Sequence, residues 1–358
     1  MVATTIEEWQ LRAQPDRLIA ELHDACAQLH QEATPQDPRL PLADEIAEIR
    51  HLPAVDDGIV LVARDSAGAI IGLATCTWQY LEGWDHLLGA DIAVLPGWRR
   101  RGIGTLLLER SAAVAERRSL RLVAGWTRDN VPSGAAFCRR FGAEPALVGQ
   151  ENRLDLAAVD GGLVDRWIAD GPVRAPHCGL VFVDGCTPPD LADRVAEVLN
   201  VMNTAPREDL DVGDVPMTAE LVREFEEAGA AAGKGRWAYY VQDTSGRFVG
   251  LTNIFIEPAT PDRVFVGDTA VDPAYRGHGL GKWLKGAMTR RILDRLPDVR
   301  WVITQNAGSN DAMLAINKQL GFRTTAVHTT WQVAASQLRD NLAAGGGDPA
   351  ASSTGPAD

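Results

Sequence analysis

The sequence predicts an α/β (α+β) fold class with two consecutive domains of one kind, on three observations. At 358 residues the chain exceeds the roughly 250–300 residues at which a single hydrophobic core stops growing, so two cores are expected. The stretch DIAVLPGWRRRGIG (91–104) aligns without a gap with DTAVDPAYRGHGLG (268–281), every pair 177 residues apart. In each copy a β-rich run stops at a proline, which cannot donate to a sheet ladder, and passes through glycines into an apolar-periodic helix.

The elements follow in order. Asp16–Gln31 carries Leu18, Ile19, Leu22, Ala25, Cys26 and Leu29 at helical spacing and predicts one amphipathic helix, with a second starting near Asp44. Gly58–Arg64 and Ala69–Thr77 predict strands around the turn Asp65-Ser-Ala-Gly68, a hairpin that recurs as Trp237–Gln242 and Phe248–Ile256 around Asp243-Thr-Ser-Gly246. Strand His86–Val94, helix Ile103–Arg117, strand Arg121–Trp126 and helix Asn130–Arg140 come next, and Asn152–Ala157 is the expected last strand of the first domain. The second domain restarts with strand Cys178–Val183, helix Pro189–Met202, an acidic loop Pro206–Thr218 and helix Thr218–Ala230. After its glycine turn come helix Leu280–Leu296, strand Arg300–Gln305, helix Asn310–Leu320 and strand Thr325–Val333. The expected bounds are 1–158 and 177–337, with a linker at 159–176 whose glycine-rich ends bracket a short helix, and a disordered tail at 338–358, where a Gly-Gly-Gly and Pro-rich sequence has little apolar surface to bury.

Composition narrows the function. A formal net charge of −13 argues against a nucleic-acid partner. Five scattered cysteines without a C-x-x-C predict reduced thiols and neither a disulfide frame nor a metal site. Glu7 and Glu8 stand where a signal peptide would have an apolar core, and no stretch reaches the length of a membrane span, so a cytoplasmic monomer or homodimer without a membrane partner is expected. A strand, a glycine-rich turn and a helix N-terminus leave free N–H groups and a favourable dipole for an anion, and Arg276 adds a fixed cation; phosphate or pyrophosphate is the natural guest. The spacing Gly277-x-Gly279-x-Gly281 is not the G-x-G-x-x-G of dinucleotide-binding folds, and Gly281-Lys282-Trp283 lacks the G-K-[ST] of phosphate-loop NTPases.

The R-x-x-G-x-G signature after a V-x-P strand end, present in both halves, resembles the acetyl-CoA-binding motif of the GCN5-related N-acetyltransferase (GNAT) superfamily. The resemblance covers nearly all of the chain outside the linker and tail. It implies two GNAT-like domains, each a mixed, mostly antiparallel twisted sheet flanked by helices, and acetyl-CoA as the cofactor. Carried over by motif position, Arg276, Gly277, Gly279, Leu280 and Gly281 hold the pyrophosphate in the second copy and Val271 contacts the pantetheine; Val94, Arg99, Gly102, Ile103 and Gly104 do so in the first. At the equivalent positions Arg101 and His278, phosphate contact and a solvated side chain both stay open. Asn306 and Asn310 either touch the cofactor or cap the following helix.

The implied reaction is direct attack of a small-molecule primary amine on the thioester. That attack needs a group to take the amine's proton and another to protonate the leaving thiolate. Asp268, with Asp91 in the first copy, is placed for the first task on the strand that ends at the turn; a structural carboxylate is the alternative. The family's usual tyrosine acid is missing: its position holds Asn317 in one copy and Cys138 in the other, so Asn317 is left to orient the thiol or a water. Tandem members include mycothiol synthases, and the tyrosine-free closing segment implies a different tandem branch. Catalysis is expected in the C-terminal copy, where the acidic loop (Glu208, Asp209, Asp211, Asp214) and Trp237, Tyr239 and Tyr240 are candidates for an amine pocket. The other readings are an acyl-CoA-binding sensor or scaffold without turnover, and an acetyltransferase acting on a peptide or protein amine.

Overall fold

A computed structural model describes residues 4–345. Its elements are β1 Thr5–Gln10, α1 Asp16–Ala25, α2 Ala27–Ala33, α3 Leu42–Arg50, β2 Asp56–Arg64, β3 Ile70–Gln79, β4 Leu87–Val94, α4 Ile103–Arg117, β5 Leu122–Arg128, α5 Pro132–Arg140 and β6 Glu144–Asp155. They continue with α6 Gly161–Arg174, β7 Cys178–Asp184, α7 Ala192–Leu199, α8 Ala219–Ala231, β8 Gly235–Asp243, β9 Phe248–Ile256, β10 Arg263–Val271, α9 Leu280–Arg295, β11 Trp301–Ala307, α10 Asp311–Leu320, β12 Arg323–Ala334 and α11 Ala335–Ala343. All the strands join one sheet in the order β1-β2-β3-β4-β5-β12-β6-β11-β10-β9-β8-β7.

The two copies exchange their last strands. β6, expected to close the first domain, pairs along the whole length of β11 of the second, from Trp301↔Asp155 to Ala307↔Gly149. β12 in turn pairs with β5 of the first, from His328↔Arg128 to Ala334↔Leu122, and the two exchanged strands pair with each other. Both faces of the sheet are covered. Behind the N-terminal half, Ile103 and Leu107 of α4, Phe141 and Leu338 form one core with β2, β3 and β4. Behind the C-terminal half, Val164 and Trp167 of α6 pack with Met288 and Ile292 of α9. In front, Leu18 and Leu22 of α1 pack on β2, and Val195 and Val222 of α7 and α8 pack on β8 and β9.

Four expectations change. The single helix over Asp16–Gln31 is two, because the chain turns at Cys26, and the strand β1 precedes it. The short helix expected within the linker is α6, capped by Asp160 on the Leu163 N–H and lying against α9 so closely that a Cβ on Gly171 would fall 2.2 Å from Trp283. Pro189–Met202 is a short α-helix between two 3₁₀ turns. The expected tail begins inside α11, whose Leu338 is buried against α4; the residues after 345 lie outside the described part of the chain. Among the described residues no helix is long and apolar enough to cross a membrane.

Candidate active site

Each copy opens its sheet at the same place. β4 and β5 pair only from Leu87↔Leu122 to Gly89↔Ala124, and β10 and β11 only from Arg263↔Trp301 to Phe265↔Ile303; beyond those pairs the strands part. Each outer strand then reaches its proline, makes a 3₁₀ turn (Pro96–Trp98, Pro273–Tyr275) and enters a helix. Gly102 (φ 87) and Gly279 (φ 80) are the helix N-caps, in the left-handed region that glycine adopts without strain, and neither helix has a side-chain cap. The first-turn N–H groups are therefore left for a guest, which fits a phosphate group.

Arg99 and Arg276 shape this turn from behind. Arg99 Nε donates to Val94 O at 3.0 Å and Arg276 Nε to Val271 O at 3.1 Å, so each arginine ties the turn to the last residue of its strand. The remaining nitrogens differ: Arg99 pairs with Glu32 of α2, whereas Arg276 reaches the Thr204 hydroxyl at 2.9 Å. The last glycine of each turn is a packing residue. A Cβ on Gly104 would lie 3.2 Å from Phe137, and one on Gly281 would lie 3.1 Å from Ile316, so each glycine lets the closing helix approach. Ile103 and Leu280 are buried first residues of their helices. Gly277 (φ 83) takes the left-handed turn position that Arg100 (φ 64) occupies in the first copy. Arg101 stacks over Trp98 at 4.9 Å, and His278 Nδ1 lies 3.2 Å from Tyr275 O. Asn310 is a helix cap: its Oδ1 accepts from Met313 N–H at 3.3 Å.

In the N-terminal copy the opening is a cavity of about 770 Å³ that passes through the sheet, from Arg99 and Gly102 past Asp91 to Cys26 and Leu29 of the front helices. Its inner wall is apolar, with Leu108, Phe141 and Val333 beside Cys138 and Trp331. Loss of hydration pushes the Asp91 carboxyl above its ordinary range, partly offset by Trp126. Burial likewise pushes the Cys138 thiol to about 11, so it stays protonated at neutral pH.

The C-terminal copy differs in its strand. The β9–β10 register jumps between Val266↔Ile254 and Thr269↔Thr252, so Gly267 and Asp268 together oppose Asn253 in a β-bulge. β3 and β4 pair without such a jump. Asn253 Oδ1 accepts from the Asp268 N–H at 2.8 Å and holds the bulge, and a Cβ on Gly267 would fall 2.4 Å from that same oxygen. Asp268 is half-buried there, and loss of hydration holds its carboxyl above the ordinary range against the pull of Asn253 and Arg236. Behind the sheet, Asn317 is 1% exposed; its Nδ2 donates to Asn306 Oδ1 at 2.8 Å, and its own Oδ1 is a buried acceptor without a partner.

The expected amine-pocket residues do other work. Glu208 accepts from Val148 N–H and Asp211 pairs with Arg121, so the acidic loop docks the second copy onto the first, while Asp214 pairs with Arg207 within the loop. Trp237 donates to Asp184, Tyr240 is fully buried with its hydroxyl on Arg236, and Tyr239 packs on Phe182. In front of the C-terminal opening is instead a cavity of about 440 Å³ walled by Gly267, Gln305, Asp37, Arg153 and Arg263. There Asp37, from the segment after α2, clamps Arg153 of β6 and Arg263 of β10, and the two arginines hold its carboxyl below the ordinary range. Sequence reasoning missed this cluster, because strand exchange is what brings Arg153 to it. It also missed Lys285, a buried lysine on α9 whose signal was present in the repeat: the position 177 residues earlier is Leu108.

Two matches to family models agree with this geometry. Residues 56–142 match an acetyltransferase (GNAT) domain and residues 199–322 match the acetyltransferase (GNAT) family. The chain belongs to the GNAT superfamily as a tandem member and is an acyltransferase by family. It is 28% identical over 302 residues to a protein named mycothiol acetyltransferase from Saccharomonospora viridis, covering 80% of this chain and 85% of that one. A protein of the same name from Nocardia farcinica is 27% identical, covering 86% and 92%. Among solved structures, a tandem GNAT protein from the clavulanic acid biosynthesis pathway has TM-score 0.73 at 25% identity over 92% of this chain and 99% of that one. A GCN5-related N-acetyltransferase from Sphaerobacter thermophilus, at 14% identity and TM-score 0.65 over 92% and 96% of the chains, shares the fold. The expectation of a branch apart from mycothiol synthases gains no support from relatives that carry that kind of name.

Proposed function

We propose that the protein transfers the acetyl group of acetyl-CoA to a primary amine of a small molecule by direct attack, with the chemistry in the C-terminal copy. The observation that carries this reading is the bulge at Gly267–Asp268, beside an intact glycine turn, where the N-terminal copy has an unbroken strand. A bulge re-aims backbone and side chain at one point of a strand. Here it sets Asp268 at the mouth of the strand opening, where a carboxylate of raised basicity accepts a proton from an incoming ammonium. The turn 276–281 supplies N–H groups for the pyrophosphate, and Val271 marks the strand edge along which the pantetheine runs. Acetyl-CoA, when bound, supplies the activated thioester. Relatives named for mycothiol acetylation favour a small acceptor over a protein one.

The test is calorimetry with acetyl-CoA together with thiol release from acetyl-CoA in the presence of glucosamine, spermidine and an aminoglycoside. Binding and amine-dependent release are expected; the absence of both heat and thermal stabilisation would end the proposal. A second reading, an acyl-CoA binder without turnover, is favoured by the asparagine and cysteine at the tyrosine positions. Binding without release of coenzyme A across a broad amine panel would select it.

A further inference from the structure

Lys285 lies in α9 with 4% of its surface exposed, and none of the described residues offers it a carboxylate or a hydrogen bond. Its ammonium sits 5.7 Å from the centroid of the Phe322 ring. A buried lysine without a counter-ion is costly, and proteins keep one chiefly where its proton is used. Its location is fixed by the repeat. The counterpart Leu108 lines the inner wall of the N-terminal cavity together with Cys138, and Cys138 is the counterpart of Asn317. In the C-terminal copy Phe322, the ring against Lys285, donates its N–H to Asn317 O at 3.0 Å. By the repeat, Lys285 and Asn317 thus hold the positions that Leu108 and Cys138 take on the inner wall of the N-terminal cavity.

We propose that Lys285 is the acid of the C-terminal copy: it protonates the thiolate that departs as the amine is acylated. This rests on the acetyl-transfer reading above. Lys285 Nζ gives its proton to sulfur as the carbon–sulfur bond breaks and the amine nitrogen bonds to the acetyl carbon. The lysine is left neutral and regains a proton from solvent; Asp268 takes the ammonium's first proton before attack, releases it to solvent, and takes the second from the acylated nitrogen as the thiolate leaves. No residue is oxidised, reduced or acylated. The site suits the task, because burial alone lowers the lysine to about 8, near the working pH of a general acid. Charged groups on the surrounding elements are engaged elsewhere: Arg290 with Asp165 of α6, Lys282 over Trp167, and Lys318 of α10 in solvent.

The experiment titrates the thiol of bound coenzyme A by thiolate ultraviolet absorbance in the wild type, Lys285→Met and Lys285→Arg. An ammonium beside sulfur favours the thiolate, so the bound thiol should ionise at least about one pH unit lower in the wild type than in Lys285→Met, with Lys285→Arg retaining most of that shift. The N-terminal copy, with leucine at this position, contributes alike to all three proteins and cancels in the difference. Methionine should be accepted, since the first copy packs leucine there, and a thermal melt verifies folding. In turnover, Lys285→Met should lower kcat at least about tenfold with little change in the KM for acetyl-CoA and should lose the alkaline limb of the pH profile. If neither protein binds coenzyme A, the acetyl-transfer reading falls and this assignment with it. If both bind it with the same thiol ionisation, the assignment falls alone.

Discussion

The two copies have kept the same entrance and diverged at the inner end. At the entrance, proline, arginine and the N-cap glycine recur with the same geometry, down to the bond from arginine Nε to a valine carbonyl. At the inner end the N-terminal copy presents Leu108, Cys138, Thr127 and Trp331, with the indole donating to the threonine hydroxyl at 2.8 Å. The equivalent positions of the C-terminal copy hold Lys285, Asn317, Asn306 and Asn152, of which Lys285, Asn317 and Asn152 are buried polar groups. An apolar wall holds a guest; moving protons requires groups that can give and accept them. The contrast is that the two copies share one anion-turn geometry, while buried polar groups at the inner end are confined to the C-terminal copy, where the proposed chemistry would use them.

The largest expected effect comes from blocking the entrances one at a time. Gly281→Glu places a carboxylate by the phosphate turn and a side chain where Ile316 already leaves only 3.1 Å for a Cβ. Turnover should fall below about one per cent of wild type, since the loss of a few kcal/mol of cofactor binding and positioning is a factor of 10² or more. Gly104→Glu should spare most activity. Measuring coenzyme A release for both, with folding verified by circular dichroism, decides it: the opposite ranking would move the chemistry to the N-terminal copy.

Next come the paired aspartates. Asp268→Asn should lower kcat by about 10²–10⁴, the range for removing a positioned base, and Asp91→Asn by less than about threefold. The pH profile carries the sign. A base whose carboxyl is held above its ordinary range loses activity as pH falls through that raised value, so the acid limb of wild type should lie higher than for an ordinary aspartate and vanish in Asp268→Asn. Equal losses in the two variants would contradict a single catalytic copy.

These contrasts were unequally legible in the sequence. The turn was legible because proline, glycine and arginine act locally: Ile103–Arg117 is the helix expected from its pattern. The strand exchange was not, since β6 and β12 carry the same kind of alternating pattern and which partner each finds is a tertiary choice. β1 was missed because Glu7 and Glu8 lie in it, charges that an edge strand tolerates. The bulge leaves its trace as a shift in the repeat offset, invisible until the register shows Gly267 and Asp268 facing one residue. Lys285 was passed over because a lysine in a helix ordinarily reads as a solvent-facing residue, although the leucine in the other copy marks the position as interior.

That lysine gives the third contrast, in stability. Burial lowers it from an ordinary value of 10.5 to about 8, a shift that corresponds to roughly 3 kcal/mol. A base whose folded pKa is depressed destabilises the fold fully below about pH 8 and ceases to do so above its unfolded value of 10.5. Lys285→Met should therefore stabilise the protein at pH 7 by up to roughly 3 kcal/mol while reducing turnover, the pairing expected of a functional group kept at a cost. Leu108→Lys, the reciprocal change, should destabilise. Chemical denaturation at pH 7 and above pH 10 separates this from simple repacking, which would give the same gain at both.

The smallest expected effect tests how far the two entrances have drifted. Arg100 holds φ 64 where the second copy has Gly277 at φ 83. A residue with a Cβ costs about 1–2 kcal/mol in the left-handed region, whereas glycine enters it freely but loses more chain entropy on folding. The two terms nearly offset, so Arg100→Gly should change stability by about 0.5 kcal/mol in the stabilising direction, read from denaturant midpoints at constant m. Cofactor binding at the first turn should weaken by less than about threefold, because Arg99 and not Arg100 ties the turn to Val94. A loss of tenfold or more would make Arg100 a phosphate ligand in its own right, and the N-terminal entrance would then bind by charge where the C-terminal one binds by backbone.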